Sequence, residues 1–270
     1  MAPYRCIGFL TDYGLEDAFV AACHGVMIDI APRARIVDIT HLVPPQDVRR
    51  GSAVLTRAAP YLAPAVFVAV VDPGVGGDRR PVAIEAGDSV LVGPDNGLLI
   101  DAAEALGPIT AAVSLDNTAW FRQPVSATFH GRDVFCPVAA HLYAGRPFSS
   151  AGTPIDPATL VRLPAPHLVV STDSVETETT YVDRFGNVQL SAGADRLDAL
   201  GFTDGTALTI AGPGATVTAV AGGRFDSVDV GGVVVYADSD RRIAIAVNQG
   251  RADELLGVRP GAVLRITRAP

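Results

Sequence analysis

Four short stretches carry residues whose types and spacing suit chemistry on a small molecule. The first is TDYGLEDAF, residues 11–19. Asp12, directly after an apolar run, could hold a vicinal diol through both carboxylate oxygens, and Asp17 is expected in the first turn of the helix that follows. The same acids would equally cap that helix and complement its dipole. The second is VVDPGVGGDRR, residues 70–80, where Asp72 ends an apolar strand and Pro73 to Gly77 force a sharp turn from which Arg79 could fold back toward Asp72. Read alone, a glycine-rich turn with an aspartate is as well explained as a turn.

The third stretch is TFHGRDVF, residues 128–135, with His130 just before a glycine at the start of an expected helix. Imidazole exchanges protons near neutral pH, and a neighbouring carboxylate or guanidinium would set its tautomer and pKa. The fourth is VDRFGNVQ, residues 182–189, a tight turn carrying Phe185 and Asn187. An aromatic face with a side-chain amide is what an adenine ring requires, stacking for its plane and a paired donor and acceptor for its edge. Gly186 at positive φ and Asn187 bonded to its own backbone would also account for the turn.

What is missing narrows the chemistry. Every cationic side chain is arginine, which removes lysine Schiff bases, pyridoxal phosphate and the P-loop lysine. Cys6, Cys23 and Cys136 are widely spaced and odd in number, so neither a disulfide framework nor a zinc knuckle is expected. His24, His41, His141 and His167 show no H-E-x-x-H or comparable spacing, so metal-assisted hydrolysis has little support. A G-x-G-x-x-G loop and a G-x-S-x-G elbow are both absent.

The elements that must position these residues read as two domains. Tyr4 to Leu10 and Arg35 to Thr40 suit strands, with Phe19, Ala22, Val26 and Ile30 at helical spacing between them. Residues 47–59 look helical, and the unbroken apolar run Ala65 to Val71 suits a strand buried on both faces. Pro81 to Glu85 and Ser89 to Val92 flank a short turn and suggest a hairpin, so the sheet is expected to be mixed; a helix over roughly 131–144 closes this half. Residues 149–166 turn rich in Pro, Ser, Thr and Gly, like an interdomain connection. Short β-rich stretches follow, beginning with His167 to Ser171 and ending with Val263 to Thr267. The expected architecture is an α/β N-terminal domain over residues 1–160, its mixed central sheet flanked by helices, and a smaller all-β, barrel-like domain over 161–270.

With 270 residues and 49% hydrophobic content the chain can bury a substantial core. No apolar run reaches the roughly 20 residues of a membrane helix, and the start of the chain lacks a leader-like pattern, so a soluble, cytoplasmic protein is expected. The formal charge of -8 and the scattered arginine pairs argue against nucleic acid as a partner.

Taken in order, TDYG, VVDPGVGGDRR, GPDNGLL (93–99), TFHGRDVF, VDRFGNVQ and YADSDRR (236–242) resemble the S-adenosylmethionine (SAM) hydroxide adenosyltransferase family, over nearly the whole chain. That family is related to the SAM-dependent fluorinase and chlorinase. The resemblance implies hydrolysis of SAM at the ribose 5′ carbon by an activated water, giving adenosine and methionine. Asp72, Arg79 and His130 match the family's catalytic triad. By the same resemblance Asp12 would bind the ribose hydroxyls, and Phe185 and Asn187 the adenine, with Phe225 in the adenine wall. Asp183 and Ser239 would hold the methionine end, with Asp17 beside them. The resemblance further implies no metal or organic cofactor, SAM being the substrate, and a homotrimer with sites between the N-terminal domain of one subunit and the C-terminal domain of the next.

A SAM-dependent halogenase and a non-catalytic SAM- or adenosine-binding protein are the alternatives. The halogenases carry Tyr where this chain has Asp72, and the fluorinase carries an insertion soon after that region. Other departures from the fluorinase are Gln46 for a tryptophan, Phe19 for a serine, Gly131 for a halide-contacting serine, and Asp240 for an arginine near the methionine carboxylate.

Overall fold

The run Val66–Val70 is buried at every position because it is a strand with a layer on each face. Val66, Val68 and Val70 belong to one apolar cluster, and Phe67, Ala69 and Val71 to a second. That two-residue alternation between two cores is what a central strand of a layered α/β sheet demands. The computed structural model describes residues 4–269, and the chain divides into two compact units, residues 1–163 and 164–270.

In the first unit the elements run β1 (Ile7–Thr11), α1 (Phe19–Ile30), β2 (Ile36–Thr40), α2 (Val48–Leu62), β3 (Val66–Val70), β4 (Pro81–Ala86), β5 (Ser89–Pro94), α3 (Ile100–Leu106), β6 (Ile109–Leu115), α4 (Cys136–Tyr143) and β7 (Gly152–Ile155). The sheet order is β2-β1-β3-β5-β4-β6-β7. β2, β1, β3 and β5 are parallel, whereas β4 pairs antiparallel with β5 and β6 as the hairpin signal predicts. α1 supplies Cys23 and Met27 to the first core, and α2 supplies Leu55 and Ala59 to the second. The chain therefore leaves β1 over one face and returns from β2 to β3 over the other, and β1 and β3 lie side by side at the point where the strand order reverses.

The helices differ in detail from their expected patterns. The buried stripe of α1 runs through Cys23 and Met27, flanked by Val20 and Ile30, and Phe19 is exposed. α2 begins where Asp47 Oδ1 accepts the Arg50 N–H at 2.9 Å. The helix expected over 131–144 opens as a π turn, Gly131–Phe135, before continuing as α4. The presumed connection after Ser149 is partly strand: β7 lies on the sheet edge against β6, where Pro154, which has no N–H, is tolerated. Leu160 is buried in the second core, and the Val161 N–H donates to Asp95.

The second unit runs β8 (Leu168–Val170), β9 (Ser174–Val182), β10 (Val188–Gly193), α5 (Asp195–Ala199), β11 (Ala207–Ala211), β12 (Thr216–Ala221), β13 (Val233–Ala237), β14 (Arg242–Val247), α6 (Ala252–Leu256) and β15 (Val263–Arg268). β9 pairs with β15 over its first half and with β10 over its second, which closes the ring β9-β10-β14-β13-β12-β11-β15 into a barrel. β8 lies outside the ring on β9. The interior is filled by Val175, Val188, Leu190, Leu208, Ile210, Ile245, Leu264 and Ile266, all wholly buried.

Candidate active site

Asp12 and Asp72 follow the C-terminal ends of β1 and β3, two neighbouring parallel strands in register from Ile7 with Val66 to Thr11 with Val70. Ligand sites of open α/β sheets lie in the crevice outside the strand C-termini where the strand order reverses. Asp72, Arg79 and His130 meet here. Arg79 Nε lies 3.0 Å from both carboxylate oxygens of Asp72, and Nη2 lies 2.5 Å from Oδ2. The pair is withdrawn from water, with the Asp72 side chain 4% and the Arg79 side chain 10% exposed. The turn allows this because Gly74 lets the Arg79 stem pass at a spacing where a Cβ would already be tight. Gly76 has φ +78°, and a Cβ there would run into the Ala127 carbonyl. The Arg79 guanidinium also lies over the Phe135 ring, 5.3 Å from its centroid.

The same Nη2 lies 2.8 Å from His130 Nδ1. Guanidinium only donates, so Nδ1 is the acceptor and the ring proton of the neutral imidazole resides on Nε2. Burial, then the positive charge of Arg79, holds the His130 pKa below its ordinary value, with Asp72 and Asp133 opposing. His130 is thus a neutral side chain with one committed nitrogen and one N–H to offer. Beneath it, wholly buried Asp133 accepts from Arg132 Nε at 2.7 Å and from the Ser126 N–H at 2.9 Å. Burial alone would raise the Asp133 carboxyl, but these bonds hold it below its usual range.

Tyr13 joins this group without having been singled out in the sequence. Its ring meets Phe129 at 5.6 Å and Phe19 at 5.9 Å, and its hydroxyl lies against Gly131. Burial foremost, with Asp12 and Asp72 among the further causes, pushes its phenol well above the usual value, so it stays protonated. Asp12 Oδ2 accepts the Gln46 N–H at 2.8 Å, from a backbone with φ 66°. Asp17 does not enter the first turn of α1: it is exposed, it precedes the helix, and Ala18 at the N-cap receives no side-chain hydrogen bond. Phe19, the first residue of the helix, makes ring contacts with Tyr13 and Phe129.

In the barrel unit, Asp183, Phe185 and Asn187 fall on the β9–β10 turn, Ser239 on the β13–β14 turn, and Phe225 on a short 3-10 turn between β12 and β13. Asp183 Oδ1 accepts the N–H groups of Phe185 (2.8 Å) and Asn187 (2.9 Å), and Oδ2 accepts from Asn187 Nδ2 at 2.8 Å. Asp183 therefore builds the turn, Asn187 keeps its side-chain carbonyl as an acceptor, and Phe185 projects with 68% of its surface exposed. Ser239 lies exposed on the β13–β14 turn, where Asp238 Oδ1 accepts from Asp240 and Arg242. From β10, Gln189 Nε2 donates to two carboxylates of that turn, Asp238 Oδ2 at 2.6 Å and Asp240 Oδ2 at 3.0 Å. Tyr236 stands among these residues, its ring 5.4 Å from that of half-exposed Phe225. Burial, then Asp238 and Asp183, pushes its phenol up to about 12. The only sequence signal for Tyr236 was its place at the head of YADSDRR.

Comparison with known proteins agrees in both halves. The SAM hydroxide adenosyltransferase N-terminal domain matches residues 7–152 and the C-terminal domain of the same family matches 177–265. A protein of Salinispora tropica named (R)-S-adenosyl-L-methionine hydrolase is 53% identical, covering 99% of each chain. A protein of Actinopolyspora mzabensis named fluorinase is more distant, 26% identical over 97% of each. The crystal structure of an uncharacterized conserved protein from Thermotoga maritima superposes with a TM-score of 0.91 at 37% identity, covering 97% of this chain and 100% of that one. The chain belongs to the SAM hydroxide adenosyltransferase family.

Proposed function

We propose that this chain hydrolyses S-adenosyl-L-methionine at the ribose 5′ carbon, giving adenosine and L-methionine. The observation that carries the reading is the single guanidinium, Arg79, bonded to Asp72 on one side and to His130 on the other, at the end of β3. The sulfonium of SAM already provides a neutral thioether leaving group, so the protein's task is to supply and aim the nucleophile. With Nδ1 taken by Arg79, His130 presents only Nε2–H and orients a water by donating to its oxygen. Proton acceptance then falls to the lone pairs that Asp72 retains, and Arg79 stabilises the hydroxide-like charge as it develops. None of these steps calls on a metal or an organic cofactor.

Asp12 is assigned to the ribose hydroxyls, Phe185, Asn187 and Phe225 to the adenine, and Asp183 and Ser239 to the methionine end, with Asp17 beside them. The exposure of the Phe185 and Phe225 rings supports this assignment, since a free aromatic face is what a purine stacks on. We further propose a homotrimer in which Asp12 of one subunit and Phe185 and Asn187 of the next share a substrate. Asp72 in place of tyrosine, with a hydrolase name on a relative of 53% identity, favours water over halide. The (R) form named in that relative is the diastereomer to try first. Incubation with SAM in water enriched in heavy oxygen should release adenosine labelled at the 5′-hydroxyl, with no halide requirement. Label elsewhere, or a 5′-halogenated product, would remove the hydrolase reading.

A further inference from the structure

One residue before Asp12, Thr11 Oγ1 lies 2.8 Å from Nδ1 of His41, the residue that follows β2. The other nitrogen of His41 points at Asp38 of β2: Nε2 lies 3.1 Å from Oδ1. His24, on α1, brings its own Nε2 to 2.8 Å from the same oxygen. The donor atoms of His24, Asp38 and His41 all lie within 4.8 Å of one another.

The two histidines are not equivalent. His24 makes a hydrogen bond to Asp38, which accounts for its position without further help. His41 is only 2% exposed, and its Nε2 is shielded from water yet makes no hydrogen bond, despite its closeness to the carboxylate. A buried ring nitrogen left without a hydrogen bond is costly unless something else engages its lone pair. We infer that His24, Asp38 and His41 form a binding site for a divalent transition metal, with Zn2+ the ion their donors suit best.

Two imidazoles and one carboxylate are a common zinc ligand set, completed by a water in the fourth position. Asp38, 43% exposed, leaves an open side for that water and for entry of the ion. Ligands at zinc distances stand about 3.3 Å apart in a tetrahedron, so the two spacings to Asp38 Oδ1, 2.8 and 3.1 Å, open slightly on binding, while the two ring nitrogens, which lie within 4.8 Å of each other, are drawn to the same separation by the ion. The outer contacts suit the assignment too. Thr11 holds the far nitrogen of His41, as a partner that fixes ring orientation should, and Phe9 packs against both rings, 4.8 Å from His41 and 5.8 Å from His24.

The ion would tie α1, β2 and the loop after β2 to one point. That loop also bonds to the Asp12 segment, where the Gly14 N–H donates to the His41 carbonyl at 2.8 Å. The site is structural, a brace beneath the Asp12 loop, and it stands apart from the hydrolase proposal.

The test uses full-length protein, free of any affinity tag and stripped with a chelator, titrated with zinc chloride by calorimetry. One Zn2+ per chain is expected, with a thermal midpoint that rises as zinc is added. His24→Gln and Asp38→Asn change side chains that reach the surface and should leave the fold intact. Each should weaken zinc binding by at least about tenfold, since loss of an outer-shell partner alone costs that much. The double variant should abolish the thermal shift. No binding by the stripped wild type, or binding that the double variant leaves unchanged, would overturn the site. Because zinc binding is read directly, neither result depends on whether SAM is cleaved.

Discussion

The hydroxyl of Tyr13 occupies the space that any side chain at position 131 would fill. Tyr13 and Gly131 are therefore a matched pair, and the pair sits beside His130. Gly131→Ala should displace the Tyr13 ring from its contacts with Phe129 and Phe19. Overpacking of this kind costs about 1–3 kcal/mol. Thermal or denaturant unfolding measures it. Tyr13→Phe, which removes the blocking oxygen, should recover part of the loss when combined with Gly131→Ala; a simple sum of the two single effects would mean that the two positions do not interact.

The lowered pKa of His130 fixes a direction for pH dependence. The unfolded chain carries a histidine titrating near about 6.5, above the folded value, so below that pH the unfolded state binds more protons. The stabilisation is fully present above the unfolded value and is lost as pH falls through the lower folded one. Turnover should follow the same course, because a proton on Nδ1 evicts the Arg79 bond. His141, lowered by burial and then Arg146, contributes to stability with the same sign. The informative comparison is therefore wild type against His130→Gln, whose stability should fall less on acidification between pH 7 and pH 5, a range of about two units around the histidine value.

Chemistry and grip should separate by mutation. Asp72→Asn should lower single-turnover rates by about 100-fold or more while leaving SAM affinity within about tenfold, the pattern for loss of a positioned proton acceptor. Phe185→Ala should do the reverse, weakening binding by roughly 1–3 kcal/mol through loss of a stacking face. Calorimetry and rapid-quench kinetics read the two effects independently. Normal turnover in Asp72→Asn would remove it from the mechanism.

Asp12→Ala and Asn187→Ala lie in different units, and each is expected to be nearly inactive alone. If substrate is shared between subunits, unfolding and refolding the two variants together should restore part of the activity. Sedimentation should give three copies per particle. No recovery in a mixture shown by mass spectrometry to contain hybrids would defeat the shared-site arrangement.

Much of this organisation was legible in the chain because certain residues have few alternatives. An unbroken run such as Val66–Val70 is uncommon outside a strand covered on both sides. Arg79 after a glycine turn had little to fold back on but Asp72. Elements set by tertiary context were less visible. The phase of α1 was misplaced because Phe19, apolar and at the right spacing, is used by Tyr13 and Phe129 instead of the core. β7 was hidden by Pro154 in a stretch of turn-forming residues, and β10 by the tight turn immediately before it. The α3 helix and β6, which lie between two recognised motifs, were not anticipated either. Tyr13 escaped notice because its importance lies in what it touches, and only the fold puts Gly131 beside its hydroxyl.

The turn from Asp183 to Asn187 is stapled to itself by three hydrogen bonds that one carboxylate accepts. Most loops that present an aromatic ring to solvent must be immobilised when something stacks on them, and that ordering is subtracted from affinity. Here the backbone beneath Phe185 is set during folding, so a flat ring arriving there meets a surface already in place. Asp183→Ala would leave Phe185 chemically unchanged and would return that entropic loss to the moment of capture.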